Sequence, residues 1–406
     1  QIGAHFTDDV SLQCGGVPGL GTEFSVLAVQ LLQEWAQITE QCVGLFFVNA
    51  KEAFYAVIRS LVVPVHESDE AIAYMMKSLS LPPEAMQELR QALAQPAIFS
   101  TLALPSAIVA DMASTYTATH FTMRGSTEVA QALKGLRPGH PYADVVFAFA
   151  FQKVLQSLAQ EMDGQGLRAE VPTISLEDPG TISTYVKMQM RAFLFDDFVV
   201  PILAQNPVEL HKKMGQALHL TGTAFAKRGM TVNDTPGKTE IMCTYSKGGT
   251  KQEHKIAKSR SHIKVERSHH GKLNVQIVQR YKHLGSYNCG LYRLGCEAHV
   301  RAGMCKSAYN GMKKKLYKQK LIAPERRLIF WKSLCLSKMM HHTGTWCQPT
   351  EEAMKPFRTA YHSGPRAIAT TTAADKHRTN ERKRVALKLP CPEDAIMRRR
   401  LGLMHR

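Results

Sequence analysis

Two adjacent aspartates, Asp196 and Asp197, interrupt an apolar segment at residues 193–200. Aspartate is disfavoured inside strands, and two neighbouring charges in an apolar run are more costly still. Carboxylates about 4 Å apart repel by about 1 kcal/mol in water and by about 4 kcal/mol at an effective dielectric constant near 20. The pattern predicts a strand–turn–strand with the aspartates at its tip and a divalent cation offsetting their charge. Enzymes of phosphoryl and nucleotidyl transfer hold two metal ions in this way. The alternative is an ordinary surface turn, where Asp is common.

Charge is divided unevenly along the chain. Residues 1–200 contain 11 Lys and Arg against 21 Asp and Glu, whereas residues 201–406 contain 40 against 13. A half with a net charge of +27 indicates a polyanionic partner, such as a nucleic acid. The alternative is a solvated basic surface that has no partner.

Composition restricts the class of protein. The 406 residues are 44% hydrophobic, enough for two or three domains, and a chain that begins with Gln1 is expected to be a fragment or a processed piece. We find no membrane-length apolar run and no leader pattern, so we expect an intracellular protein of the nucleus or cytoplasm.

Nine cysteines without a C-x-x-C motif favour a reducing compartment. A zinc knuckle at Cys289, Cys296, His299 and Cys305 matches no standard finger, and buried thiols are the better interpretation.

Hydrophobic periodicity predicts the order of the elements. Residues 246–272 are polar and are interpreted as a loop or insertion, and the tail from about 351 is basic and weakly patterned. The remaining predictions are a strand at 43–49, a helix at 50–63, helices at 67–95, a helix at 145–158, a hairpin at 193–200, a helix at 207–229, a short strand at 230–232, a basic helix at 295–320 and an apolar helical segment at 322–346.

Seven sequence blocks, in order along the chain, together resemble the reverse transcriptase of a non-LTR (LINE-type) retrotransposon. Each block is weak alone, but seven in sequence at plausible spacing are specific. They are Gln13–Gly15 with Gly19, Gly21 and Thr22 (Q-x-G…G-x-x-T), Phe47–Tyr55 (F-x-D-x-x-x-A-F), Gly135–Phe147 (G-x-x-x-G-x-P…F), Leu194–Asp197 (Y-x-D-D), Gly229 with Asn233 and Lys238–Glu240 (G…N…K-T-E), Tyr281–Gly285 (Y-K-x-L-G), and the thumb residues Glu297, Arg301 and Ser337 to Trp346.

The resemblance implies an α+β fold, with an antiparallel palm sheet carrying helices on one face, partial fingers and a helical thumb. The implied domains are partial fingers and a pre-palm helix at 1–38, a palm at 39–290 with the polar insertion at about 246–272, a thumb at 291–350 and a basic C-terminal tail at 351–406.

The resemblance also implies an RNA-directed DNA polymerase that uses an RNA template, a DNA primer and deoxynucleoside triphosphates. In such a palm, residue 49 lies beside Asp196 and Asp197, and these carboxylates bind Mg²⁺ or Mn²⁺. Lys238 is the candidate proton donor to pyrophosphate; an exposed lysine at a strand end is the alternative.

Further residues receive binding roles from the same resemblance. Phe54 becomes the steric gate that selects deoxynucleotides, with a core-facing position as the alternative, and Gly139 belongs to the nucleotide-binding loop. The template–primer backbone is expected to contact basic residues through its phosphates, and we assign this role to Lys282, Arg301, Lys313, Lys314 and Lys315.

The sequence departs from the family pattern at its most important position. Asn49 replaces the metal-binding aspartate of the first palm motif, Leu194 replaces an aromatic residue, and Pro138 replaces a frequent glutamine. Loss of one preorganised electrostatic group reduces rates about 10²–10³-fold. We therefore expect impaired polymerase activity, with a catalytically inactive nucleic-acid-binding remnant as the alternative. A metal-dependent nuclease is a third, poorly supported possibility, with Glu240 as the only nearby additional carboxylate.

Overall fold

The computed structural model describes residues 21–174, 182–188, 192–194, 197–266, 272–290, 294–346, 349–370 and 377–405. Asp196 and most of the first sequence block, from Gln13 to Gly19, lie outside these residues. The described chain forms two compact units. The first contains residues 21–22 and 32–281, and the second contains residues 23–31 and 282–405.

Helices dominate both units, and every described strand lies before residue 290. The helices are α1 Thr22–Ile38, α2 Ala53–Ala56, α3 Asp69–Ser78, α4 Pro83–Leu93, α5 Ile98–Thr101, α6 Ser106–Tyr116, α7 Ala143–Gly164, α8 Pro207–Ala226, α9 Lys251–Ser259, α10 Leu294–Met312, α11 Pro324–Trp331, α12 Ser337–Met339, α13 Glu351–Tyr361, α14 Ser363–Ala369, α15 Asn380–Ala386 and α16 Pro392–Met404. The strands are β1 Cys42–Val48, β2 His120–Thr122, β3 Val129–Gln131, β4 Glu170–Ile174, β5 Ile182–Lys187, β6 Ala192–Leu194, β7 Asp197–Ala204, β8 Glu240–Thr244, β9 His262–Glu266, β10 Lys272–Ile277, β11 Arg280–His283 and β12 Ser286–Cys289.

A six-stranded sheet in the order β6–β7–β1–β8–β10–β9 organises the first unit. The pairs β6–β7, β7–β1, β1–β8 and β10–β9 are antiparallel, whereas β8 and β10 are parallel. The α+β class is as predicted, but the sheet is mixed and the prediction of an antiparallel sheet is wrong. The reason is that β9 and β10 form a hairpin whose second strand joins β8, so that β10 runs in the same direction as β8.

Both faces of the central strand β1 are covered, since all seven of its residues are buried. Phe46 and Val48 face a core that also contains Phe147 and Phe151 of α7 and Phe225 of α8. The Phe151 ring packs edge to face on two other rings of this core, with its centroid 5.7 Å from that of Phe198 and 5.8 Å from that of Phe225. This core fixes the strand ends that carry Asn49 and Asp197.

Several helix predictions are confirmed. Residues 67–95 form α3 and α4, residues 145–158 lie within α7, and residues 207–229 form α8 followed by Gly229 at φ +70°. Asn206 caps α8 by accepting a hydrogen bond from the Glu209 backbone at 2.9 Å. Within the described ranges, no helix combines the length and the apolar character that a membrane crossing requires.

The helix predicted over residues 50–63 is much shorter in the structure. Only α2 is α-helical there, with a 3₁₀ turn at Arg59–Leu61. Glu52, which precedes α2, has a left-handed backbone at φ 52°, and Val57 after it is extended. These two conformations end the helix on both sides, although its apolar residues recur at helical spacing.

The polar segment 246–272 is not a loop, because it contains α9 and β9. Thr250 and Glu253 form a reciprocal capping box at the start of α9. Buried Ala257 and Ile263 attach the segment to the first unit. The spacing of Thr250 and Glu253 is typical of a helix start, but the polar composition of the segment led to the prediction of a loop.

A partly buried hydrogen-bond chain connects α8 to α9. The Arg260 guanidinium can only donate, so Nδ1 of His211 accepts its hydrogen bond at 3.2 Å and Nε2 of His211 carries the proton. Nε2 then donates to the Tyr245 hydroxyl at 2.7 Å, which donates to the Ala257 carbonyl at 3.4 Å. Burial, followed by the Arg260 charge, lowers the pKa of His211 to about 4.

The second unit is built from helices around one core that continues past residue 350. Trp346 packs edge to face on Phe357 at 5.2 Å, and Trp331 packs on Tyr361 at 5.6 Å. A Cβ atom added at Gly364 would lie 2.1 Å from Nε1 of Trp331. The described part of the predicted tail therefore forms helices α13 to α16, which share the core of residues 294–346. The helices of this segment were not predicted because its composition is basic, although the apolar residues of α13 recur at helical spacing.

Candidate active site

Asn49 and Asp197 meet at neighbouring strand ends. The register pairs Val48 with Phe198, so residue 49 follows β1 directly opposite the first residue of β7. Side chains alternate along a strand, and Asn49 and Asp197 therefore project on the face opposite Phe46. Nδ2 of Asn49 donates to Oδ1 of Asp197 at 3.1 Å. The prediction that the strand end and the hairpin meet is confirmed for Asp197, while Asp196 lies outside the described residues.

Asn233, which the sequence analysis did not assign to the site, holds the other side of Asn49. Its Nδ2 donates to Oδ1 of Asn49 at 3.1 Å, and its backbone N–H donates to the Asn49 carbonyl at 2.9 Å. The backbone N–H of Asn49 donates to Oγ1 of Thr239 at 3.1 Å. Both amide atoms of Asn49 are thus used within the protein. The only sequence signal for Asn233 was its place in the fourth family block.

Asp197 is a half-buried carboxylate whose pKa is shifted by its surroundings. Burial raises its pKa above the usual value, while the hydrogen bond from Asn49 and the charge of Lys238 oppose that rise. A half-buried carboxylate that a cation stabilises in its charged form is suited to metal binding or proton transfer.

Lys238 is exposed, and its backbone is fixed beside the site. The Tyr281 hydroxyl donates to the Lys238 carbonyl at 2.5 Å, and the Tyr281 ring stacks on Phe47 with 4.3 Å between centroids. Glu240 lies opposite Phe47 in the register of β1 and β8, and one of its carboxylate oxygens accepts from the Gly237 backbone at 2.8 Å. The fourth and sixth family blocks therefore converge on the end of β1.

Phe54 and Gly139, the predicted nucleotide-binding residues, lie in different local environments. Phe54 is half-buried in α2 and stacks on Phe147 at 4.7 Å, so one side of its ring is part of the core. Gly139 is exposed at φ +85°, and a Cβ atom there would meet nothing within 4 Å. Backbone conformation alone requires this glycine. The proposed nucleotide contacts of both residues stay predictions.

Arg301, predicted to bind nucleic acid, is instead a buried structural residue. It is 3% exposed, and its Nε donates to Oε1 of Glu297 at 2.6 Å. A second guanidinium nitrogen donates to the Gly285 carbonyl at 2.5 Å. The prediction is wrong because the side chain has no surface on which to receive a phosphate.

The other predicted basic residues are accessible. Lys282, Lys314 and Lys315 are exposed, while Lys313 is half-buried with its Nζ 5.8 Å from the Tyr309 ring centroid. Residues 282–406 contain 26 Lys and Arg against 8 Asp and Glu, a net charge of +18. This unit therefore carries most of the basic charge of the chain.

The described residues offer few donors for a metal ion. Among the residues that the structure describes, no three His, Cys, Asp or Glu side chains form a group that could hold a metal ion. Asp197 is the carboxylate that contacts Asn49, and a Mg²⁺ centre there would also draw on its sequence neighbour Asp196. The zinc alternative has no support either, since Cys305 is buried and burial raises its pKa to about 12.

Comparison with known proteins adds no assignment. No family model matches the chain, and no curated protein matches it.

Proposed function

We propose that this chain is the reverse-transcriptase domain of a LINE-type retrotransposon, an RNA-directed DNA polymerase with activity reduced by Asn49. The observation that supports the proposal best is the 3.1 Å contact between Asn49 and Asp197. Residues from two sequence blocks 148 positions apart meet at adjacent strand ends, which is the arrangement that the resemblance implies for a nucleotidyl-transfer site. The order of the seven blocks in the sequence supports the same assignment.

The roles of the residues follow from their chemistry. Asp197 and Asp196 would hold Mg²⁺, which lowers the pKa of a primer hydroxyl and stabilises a departing pyrophosphate when it is bound. Asn49 supplies no charge, so the developing negative charge is less well stabilised. Lys238, which is exposed, would give a proton to the leaving group. The accessible lysines of the second unit would contact the template–primer phosphates.

A primer-extension assay tests this proposal. The purified chain is incubated with an RNA template, a DNA primer, deoxynucleotides and Mg²⁺ or Mn²⁺. We expect slow extension by the natural chain, about 10²–10³-fold faster extension by Asn49→Asp, and none by Asp197→Ala. Asp69→Asn, a change at an exposed aspartate of α3, is the matched control and should match the natural chain. Extension that survives Asp197→Ala would refute the role of this site.

A catalytically inactive nucleic-acid-binding protein is the second candidate, and one observation favours it. Asn49 donates to Asp197 through Nδ2 and brings no charge, and its Oδ1, the one atom that could bind a cation, already accepts a hydrogen bond from Asn233. In that case Asn49→Asp would leave extension undetectable, whereas nucleic-acid binding would persist.

Binding to an RNA–DNA duplex, measured by fluorescence anisotropy over a range of salt concentrations, tests the second candidate. We expect the affinity to fall steeply as salt rises. Lys314→Gln with Lys315→Gln should reduce the slope of log K against log salt by about 2. Lys77→Gln with Arg90→Gln removes the same charge from the exposed surface of α3 and α4 and should leave the slope unchanged. Salt-independent affinity would exclude phosphate-driven binding.

A further inference from the structure

A cavity of about 460 Å³ in the first unit is lined mainly by apolar side chains. Ile58, Leu61, Phe149 and Met230 form much of its wall. None of the residues Asn49, Asp197 or Lys238 lines it, so it is separate from the candidate active site. Its volume lies in the range of pockets that bind small molecules.

The polar end of this cavity is Arg228, at the C-terminal side of α8. Its Nε is shielded from solvent and has no hydrogen-bond partner among the described residues. Burial lowers the pKa of Arg228, and the charge of Glu88 opposes that effect. Glu88 is also the ion-pair partner of Lys227 at 3.1 Å, so its charge is shared between two cations. The exposed Lys153 also lines the cavity and adds a second positive charge.

We propose that this cavity binds a small amphipathic carboxylate, with its head group on Arg228 and its apolar chain between Ile58 and Phe149. A guanidinium presents its N–H groups in a planar fork that matches a carboxylate. A buried donor without a partner is costly, and a ligand that accepts from it removes that cost. A monoanion fits better than a phosphate dianion, because most of the wall is apolar and would desolvate the second charge. The proposal is independent of the polymerase assignment.

Titration of the full chain with sodium octanoate, followed by isothermal calorimetry and thermal unfolding, tests the proposal. We expect saturable binding and a rise in the unfolding temperature. Octanol, which has the same chain length without the charge, and acetate, which has the charge without the chain, should each bind at least tenfold more weakly. Equal binding of octanol would overturn the role of Arg228, and equal binding of acetate would overturn the role of the apolar wall.

Two variants and a control locate the site. Arg228→Gln removes the head-group contact and should weaken octanoate binding at least tenfold. Ala92→Leu fills the cavity from α4 and should weaken octanoate binding similarly. Arg137→Gln, at an exposed arginine outside the cavity lining, should bind as the natural chain does. Urea unfolding of each variant verifies that it folds. The proposal would be overturned if octanoate binding did not saturate, or if both variants bound octanoate with the affinity of the natural chain.

Discussion

Asn49→Asp is the substitution that tests the candidate site most directly. It replaces the Nδ2 donor, 3.1 Å from Oδ1 of Asp197, by a carboxylate oxygen. Two unit charges at about 3.1 Å repel by about 1.3 kcal/mol in water and about 5 kcal/mol at an effective dielectric constant of 20. Both side chains are half-buried, so without metal we expect the free energy of unfolding to fall by about 2–5 kcal/mol.

Magnesium should reverse this loss. A cation that binds only the folded state stabilises it by about 2.7 kcal/mol at one hundred times its dissociation constant. We therefore expect the variant to be less stable than the natural chain in EDTA and to recover most of the difference in excess MgCl₂. The natural chain, which has one carboxylate fewer, should respond less. Urea unfolding in the two buffers, at a pH near 8, measures both differences.

Asn206→Asp is the matched control for the same change of charge. Asn206 caps α8, and Asp caps a helix about as well as Asn does. Its free energy of unfolding should change by less than about 0.5 kcal/mol and should not depend on magnesium. If Asn49→Asp is as stable as the natural chain in EDTA, residues 49 and 197 do not lie side by side and the reasoning fails. If it is destabilised but magnesium does not restore it, the site does not bind this metal.

Three further predictions concern the framework. Glu297→Gln leaves Arg301 buried without its carboxylate and should lower the free energy of unfolding by about 3–5 kcal/mol, as measured in urea. Glu297→Leu combined with Arg301→Met removes both charges and should cost little. Equal losses would show that the cost does not come from leaving a buried charge unpaired. The pKa of His211 is lowered from 6.5 to about 4 in the folded chain. As the pH falls from about 6.5 to about 4, the histidine is protonated in the unfolded chain but not in the folded one, so the free energy of unfolding falls by about 3 kcal/mol over this range. His211→Gln should flatten that part of the curve of unfolding free energy against pH, and an unchanged curve would contradict the assignment. Gly364→Ala should lower the free energy of unfolding by more than about 2 kcal/mol, because the added methyl group overpacks the core. Its control is Gly311→Ala, at an exposed position of α10 where a Cβ atom meets nothing within 4 Å, which should raise the free energy of unfolding by up to about 1 kcal/mol. Similar values for the two variants would argue against close packing at Gly364.

The elements with strong local signals could be predicted from the sequence. The apolar run before Asn49 predicts β1, because a strand buried on both faces reads as a continuous hydrophobic segment. The Asn206–Pro207 start and Gly229 end predict α8, since both termini carry the chemistry that helix caps require. The contact between residues 49 and 197 was reached through the order of the family blocks rather than through local pattern.

The errors share a physical cause, which is that composition does not determine burial. Arg301 is basic, yet it lies on the buried face of α10. There it pairs with Glu297 one turn earlier, among small buried residues. Residues 246–272 are polar, yet β9 pairs with β10 in the sheet, and the buried side chains of Ala257 in α9 and Ile263 in β9 attach the segment to the first unit. The parallel pairing of β8 and β10 depends on where a hairpin docks, which no local pattern encodes.

The mixed sheet has a consequence for how copies of this chain behave together. Among the described strands, β9 forms one edge of the six-stranded sheet, and the exposed Lys264 stands at its centre. An outermost strand offers unsatisfied backbone groups to any other extended chain, and a central lysine is a common means by which proteins discourage such pairing. Replacing Lys264 by valine would remove that protection, and the chain would then self-associate through this strand at high concentration.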